Sequence, residues 1–335
     1  MNIFYHTDRD DWIIDRIFKE FKEYSKHNVI NSFSYNENTI RDIMDVIWLN
    51  ASHSWKMLIK NPVHFQSVYT TFPVLCTIHH IVPWKWNKQK YDEFMLRDQF
   101  VNLYHTYTEE TARIIKEISK KPVVVIPHWV DTKTWFSLDK NECRKELGIR
   151  KSKFVIGSFQ RDTEGDDLSS PKLEKGPDIF LEIVKQFNLS RWNVLVLLGG
   201  YRRQYITNQL TKAGINYKYF EKADITTVNK MYNSCDLYIV SSRCEGGPQA
   251  LFEASSTKTP IISSNVGQAT NLLDKRCIYS LADNSINPKM KFDVPHLETV
   301  EVNYKKILNY KSEKHVQVYD DLLENLVNDF KKGEK

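Results

Sequence analysis

The sequence predicts an α/β protein of two doubly wound units, each a mostly parallel sheet covered by helices. Three observations carry that reading. Short apolar runs recur along the 335 residues with helical patterns between them, the alternation that gives parallel sheets. The length suits two domains of ordinary size. The composition also changes along the chain: seven of the eight Trp and eight of the ten His precede residue 141, so the halves read as different modules.

In the first half, Asn2–His6 reads as a strand, and Ile13, Ile14, Ile17, Phe18 and Phe21 repeat at helical spacing. Val46–Leu49 and Pro73–Ile78 read as further strands, and Val123–Ile126 closes the half. Residues 132–150 are mixed and charged and end in Glu146-Leu147-Gly148-Ile149, so the boundary is placed at 140/141. The second half repeats the rhythm: a strand at Phe154–Ile156, a helix over Asp178–Phe187, then strands at Val194–Leu198, Tyr217–Phe220, Leu237–Val240 and Ile261–Ser263. The second domain is assigned to 141–312. In 313–335, Val316, Tyr319, Leu322, Leu323, Leu326, Val327 and Phe330 form the apolar stripe of a last helix, with Lys331–Lys335 expected to fray.

The composition narrows the function. Hydrophobic content of 41% with 13% aromatics is ample for buried cores. No run of 18 apolar residues predicts a membrane span, and the start, Met1-Asn2-Ile3-Phe4-Tyr5, reads as a strand without a signal-peptide pattern. Five cysteines without paired spacing point to a reducing cytoplasm and away from zinc. The sequons at Asn50 and Asn188 then carry no weight. A net charge of +5 does not call for nucleic acid.

The most informative stretch is Ser241-Ser242-Arg243-Cys244-Glu245-Gly246-Gly247-Pro248-Gln249-Ala250-Leu251-Phe252-Glu253. It lies between the apolar run Leu237–Val240 and a helix-forming run, with Thr259–Gly267 reading as the next strand and turn. A turn at the carboxyl end of a strand is where open α/β sheets bind ligands. The N–H groups of Gly246, Gly247 and Gln249 would surround a helix N-terminus, a seat for polar or anionic groups. A carboxylate accepts two hydroxyl hydrogen bonds, which suits vicinal diols.

The segment resembles the E-x7-E signature of retaining GT-B glycosyltransferases, and among them glycosyltransferase family 4. The resemblance is dense in the second half and patchy in the first. It implies two Rossmann-like domains facing across a cleft and a C-terminal helix crossing back to the first. It implies a nucleotide-diphosphate sugar as donor, a glycan or lipid-linked acceptor, transfer with retention, and neither cofactor nor obligatory metal. Glu245 would then contact the donor sugar and Glu253 the ribose. Lys175-Gly176 matches the family's Lys-Gly at a helix start. Gly157 stands near its Gly-Arg, but Arg161 is displaced by three residues and an acidic insertion, Thr163–Ser170, follows. Arg161 and Lys175, with Lys172 as a substitute, are the expected partners of the diphosphate.

Thr77-Ile78-His79-His80-Ile81-Val82-Pro83 resembles the family's T-x-H-D-x-x-P segment, with His79 at the sugar-facing histidine and His80 in place of the acid. Ile126-Pro127-His128-Trp129-Val130-Asp131 resembles its I-P-N-G-V-D hinge, with His128-Trp129 for Asn-Gly. Asp131 reads as a cap or turn residue. Asp8-Arg9-Asp10 is formally a D-x-D, but its place at the first strand end suits a loop over the active site; many GT-B enzymes carry two glycines in this loop, where Asp10-Asp11-Trp12 stand here, and Asp11 reads as an N-cap or an acceptor contact. Pro83–Lys90 interleaves Trp84 and Trp86 with three lysines and reads as a surface loop, an acceptor contact or a membrane-interface contact. Tyr219-Phe220 reads as core or as a nucleobase neighbour. Pro248 lacks an N–H, so one donor hydrogen bond of this turn is absent.

The expectation is a glycosyltransferase of polysaccharide biosynthesis, cytoplasmic, with peripheral membrane contact as a further possibility and its oligomeric state open. His79, Glu245, Lys175 and Arg161 are the expected catalytic residues; Gly246, Gly247, Gln249, Glu253 and Gly157 are the expected donor contacts. Two other readings stay open: a GT-B binding subunit without turnover, and a nucleotide-sugar epimerase.

Overall fold

The computed structural model describes residues 1–7, 13–31, 43–50, 69–188, 193–287 and 289–333. Asp8–Trp12 lie outside them, as do residues 51, 52, 189 and 190 of the two sequons. The chain forms two compact units, Met1–Trp129 with Lys311–Lys335, and Val130–Tyr310.

The first unit holds six parallel strands: β1 (Asn2–His6), β2 (Asn28–Asn31), β3 (Val46–Leu49), β4 (Val74–Thr77), β5 (Leu103–Thr106) and β6 (Val123–Val125), in the order β2-β1-β3-β4-β5-β6. β3 and β4 are apolar throughout or nearly so and buried at every position, as strands covered on both faces must be. On one face, helix Ile13–Tyr24 buries Ile17, Phe18 and Phe21 beside the chain's last helix, Ser312–Gly333, which buries Val316, Tyr319, Leu323 and Val327. The stripe read from the sequence is that buried face. Tyr319 stacks on Trp48 at 5.3 Å, and burial of a large apolar side chain contributes on the order of 2 kcal/mol. Truncating Tyr319 to Ala would open this core.

The unit's edge falls at Trp129, earlier than the expected 140. Trp129 packs edge-on against Tyr319 and donates from Nε1 to Glu20 at 2.8 Å, whereas Val130 and Trp135 belong to the other unit's core. The family's Asn-Gly would have no ring to place there; the tryptophan is an anchor of the first unit.

The second unit holds β7 (Phe154–Phe159), β10 (Val194–Gly199), β11 (Tyr217–Phe220), β12 (Leu237–Val240), β13 (Ile261–Ser264) and β14 (Ile278–Tyr279), all parallel, in the order β11-β10-β7-β12-β13-β14. A small antiparallel hairpin, β8 (Thr163–Glu164) with β9 (Ser170–Pro171), rises from the acidic insertion. In order of appearance the six strands run 3-2-1-4-5-6, with the switch point between β7 and β12. Ligands of such sheets bind outside the carboxyl ends of the strands at that point. Helices Pro177–Asn188, Gln204–Lys212, Ile225–Ser234 and Gln249–Ser256 cover the sheet.

Candidate active site

Two segments meet at the switch point of the second sheet. One is the loop after β12, Ser241–Pro248, and the other is the turn Leu173–Lys175 that opens helix Pro177–Asn188. Gly176 joins turn to helix with φ +59°, and a Cβ there would overlap the backbone oxygen of Ser241. Only glycine meets both demands. The junction is then clamped: Ser241 Oγ and Gln160 Nε2 donate to the Lys175 carbonyl at 3.1 and 3.0 Å, and the N–H groups of Arg243 and Cys244 donate to the Glu174 carbonyl. Arg243 also grips the Asp178 carboxylate with both terminal nitrogens. Burial works to raise the Asp178 pKa, and the Arg243 guanidinium outweighs it, leaving the group below the usual carboxylate range.

The clamp places Lys175 Nζ on Glu245 Oε1, which also accepts from Ser242 Oγ at 3.2 Å. Seventy residues apart in sequence, the two form a half-buried ion pair with about a fifth of the lysine and a tenth of the glutamate side chain exposed. Lys172 lies close by: burial first, then the charges of Lys175 and Arg161, lower its pKa. Arg161, at the end of β7, donates from Nε to the Thr163 carbonyl at 3.1 Å. Lys172 Nζ also lies 3.7 Å from the buried Glu174 carboxylate, so three cations and two carboxylates share this corner of the sheet, a positive excess that suits an anionic ligand.

The turn after Glu245 is backed by Gly267, at φ +56°, where a Cβ would press on the carbonyls of Glu245 and Gly246 and on the Pro248 ring. Pro248 caps helix Gln249–Ser256 with no side-chain hydrogen bond. Gly246 and Gly247 do not adopt left-handed backbone; the left-handed glycines of the site are Gly176 and Gly267, which brace the turn from either side. Glu253 lies within helix Gln249–Ser256, 6% exposed, with Oε2 accepting from the Tyr232 phenol at 2.7 Å. Gly157 sits in mid-β7, where a Cβ would run into Cys235 Sγ and the Tyr238 ring. A glycine is therefore required there by sheet packing, whatever its backbone meets.

In the first unit, the sequence-selected His79 follows β4 and is half-buried. Its Nε2 pairs with Asn50 Oδ1 at 2.9 Å and the Asn50 carbonyl at 3.2 Å, and Asn50 Nδ2 donates to the Tyr5 hydroxyl. Asn50 follows β3, so three strand ends converge on His79. Tyr107 stands 5.3 Å from its ring, and His128 stacks on Tyr107 at 3.5 Å. His105 is held by Thr77 Oγ1 at 2.9 Å and by the Ile126 carbonyl at 3.0 Å. Burial pushes the His105 pKa down to about 3 and that of His128 well below its ordinary value, so both are neutral. Asp131 closes a turn: it accepts from Lys133 N at 3.0 Å and Thr134 Oγ1 at 2.6 Å. Trp84 is 47% exposed at the surface. Tyr219 donates to the Gly200 carbonyl at 2.9 Å.

Sequence reasoning missed Asn50 and the buried pair Arg203–Asp162, both polar residues in loops, for which no local pattern signals burial. Among the described residues no three His, Cys, Asp or Glu side chains are grouped to hold a metal ion, and no helix is long and apolar enough to cross a membrane. All five cysteines are free thiols.

Residues 140–277, which lie within the second unit, match the family model described as Glycosyl transferases group 1. The lipopolysaccharide core biosynthesis mannosyltransferase LpsB of Rhizobium meliloti (strain 1021) is 26% identical over 160 residues, 45% of this chain; the match spans 43% of that relative's length. Anabaena Alr3699/HepE, solved in complex with UDP-glucose, has a TM-score of 0.67 at 14% identity, covering 99% of both chains. A glycosyltransferase from Rickettsia africae ESF-5 gives 0.66 at 12% identity, covering 97% of this chain and 98% of that one. Sucrose-phosphate synthase from Thermosynechococcus elongatus gives 0.62 at 12% identity, covering 99% and 98%. The fold is therefore GT-B along the whole chain, and the second unit resembles the group 1 glycosyl transferases as its motifs led one to expect.

Proposed function

We propose that this protein is a glycosyltransferase that takes a sugar from a nucleotide-diphosphate donor bound at the switch point of the second sheet. The observation that carries the reading is the Lys175–Glu245 pair with Lys172 and Arg161 around it, held by the Gly176 clamp. Arg161, Lys172 and Lys175 bind the diphosphate and stabilise the charge that grows on it as the glycosidic bond to the sugar breaks. Glu245, already fixed by Ser242 and Lys175, accepts hydroxyl hydrogen bonds from the donor sugar, and the N–H groups at the start of helix Gln249–Ser256 face the same ligand. Glu253, held by the Tyr232 phenol, is the group we assign to the ribose. With positive side chains supplying the counter-charge, the chemistry does not require a metal. The stereochemical course we assign is retention, and the acceptor we assign is a glycan or lipid-linked acceptor, a reading that the rhizobial relative's part in lipopolysaccharide core biosynthesis supports.

The test is a thermal-shift panel of UDP, GDP, ADP, CDP and dTDP, with magnesium and with chelator, on the wild type and on Lys175→Ala. A ligand that binds only the folded chain stabilises it by about 2.7 kcal/mol at a hundred times its Kd. One diphosphate should raise the Tm of the wild type in chelator and leave Lys175→Ala unmoved. No shift with any of the five would turn the reading to a binding subunit without donor. Proton NMR of the first product formed then reads the anomeric configuration; an inverted product ends the retaining assignment.

A further inference from the structure

Arg203 and Asp162 form an ion pair of which each side chain is 1% exposed. The arginine follows β10 and opens helix Gln204–Lys212, and the aspartate follows β7. The guanidinium is fully engaged: Nε donates to Asp162, Nη1 to the carbonyls of Ser158 and of Gly199 (the latter at 2.7 Å), and Nη2 to Ser158 Oγ at 3.1 Å. It therefore staples the carboxyl ends of β7 and β10 to one carboxylate. Replacing a buried ion pair with apolar groups is often neutral or stabilising, so stability alone is a poor account of why the chain carries one here.

What Asp162 does with its other atoms gives a better account. Its Oδ1 accepts from Thr163 Oγ1 at 2.9 Å, and its carbonyl accepts from Lys172 N at 2.8 Å. The N–H groups of Asp162 and Thr163 both donate to the Arg202 carbonyl, at 3.3 and 3.1 Å. Thr163, so fixed, offers its own carbonyl to Arg161 Nε. Two of the three cations at the switch point are thus tied to Asp162: Lys172 directly, by its backbone N–H, and Arg161 through Thr163, whose carbonyl its guanidinium meets.

We propose that Arg203, acting through Asp162, is a positioning residue that sets Arg161 and Lys172 for the diphosphate; the inference rests on the donor reading above. It predicts a defect confined to the phosphates. The variant to make is the double Arg203→Met/Asp162→Leu, which removes both charges together and leaves neither buried alone. Arg203→Lys is its companion: the ammonium keeps the charge beside Asp162 but lacks the fork that reaches both strand ends.

Affinity is measured by ligand-observed NMR titration for the diphosphate that gives the largest shift among UDP, GDP, ADP, CDP and dTDP, and for its parent nucleoside. The double variant should lose about tenfold or more in diphosphate affinity, since small misplacements of binding groups are costly, while the nucleoside binds within about twofold of wild type and the melt stays cooperative. Arg203→Lys should fall between. Equal losses for nucleoside and diphosphate would show a merely structural role and overturn the proposal, as would unchanged diphosphate affinity in either folded variant. If the double variant does not fold, Arg203→Lys decides by the same ratio. If the wild type binds no diphosphate, the donor reading has failed and this inference falls with it; if it binds one and the ratio is unmoved, only the inference falls.

Discussion

At the carboxyl ends of β7 and β12 the second unit gathers Arg161, Lys172, Lys175 and Glu245, groups that are charged and held by further charges such as Arg203–Asp162 and Arg243–Asp178. At the ends of β1, β3 and β4 the first unit gathers Tyr5, Asn50 and His79, with His105, His128 and Tyr107 beneath, and holds them with neutral hydrogen bonds and ring stacking. The sheets are alike, and the same position in each has been filled with opposite chemistry. A site that must hold a diphosphate needs cations whose geometry survives the ligand's arrival. The resemblance leads one to expect sugar hydroxyls at His79, a task for donors and acceptors whose orientation is fixed.

The sharpest way to break this comparison is to remove one group from each side. Lys175→Ala deletes the cation that the proposed function sets against the departing diphosphate and should lower kcat/KM about 10³-fold, the scale of losing a preorganised charge-stabilising group. His79→Ala deletes a hydrogen-bonding group held by Asn50 and should cost about 10²-fold. Steady-state kinetics on the donor that the panel selects measures both. A His79 variant more damaged than the Lys175 variant would reverse the assignment of roles.

The legibility of the two regions differed in the same way. Lys175-Gly176 and the Glu245 turn could be found because each stands beside a strand and a helix whose apolar patterns are plain. Their pairing across 70 residues could not, since it depends on the 3-2-1-4-5-6 strand order. β2 and β5 went unread because Asn28-Val29-Ile30-Asn31 is short and flanked by polar residues, and because Leu103-Tyr104-His105-Thr106 ends in two polar residues that are nonetheless buried, His105 through bonds to Thr77 and Ile126. The packing demand at Gly157 was equally hidden, because local sequence does not report Cys235 and Tyr238, which occupy the space where a Cβ would stand. Periodicity detects apolar burial. Polar burial, as at Asn50, Asp162 and Arg203, rests on partners that only the folded chain supplies.

The Gly176 clamp tests whether the charged side is held as rigidly as the neutral one. Gly176→Ala must accommodate a Cβ against the Ser241 carbonyl and a left-handed backbone, which together should cost about 3 kcal/mol in chemical denaturation. The variant should also lose diphosphate binding, because Lys175 moves with the turn. Full binding in the destabilised protein would mean that Lys175 finds Glu245 without the clamp.

A smaller effect separates the units by pH. In the first unit, burial holds the His105 pKa at about 3, the His6 pKa at about 4 and that of His128 well below the ordinary 6.5. A base with a depressed folded-state pKa takes up its proton in the unfolded chain first. Stability is therefore unaffected above about pH 6.5 and falls as the pH drops below it, by up to about 1.4 kcal/mol per pH unit for each such histidine. The second unit's residues include one histidine, His296. Its Asp274, set at about 2 by Arg276, loses its contribution only as the pH falls below the ordinary 3.8. Between pH 6.5 and 4.5 the first unit should thus weaken more than the second. Hydrogen exchange at pH 6.5 and 4.5, corrected for the intrinsic rate, should show protection falling in β3, β4 and β5 and holding in β7, β10 and β12. Equal losses in both sheets would mean that the two units unfold as one, or that the buried histidines admit protons without opening the fold.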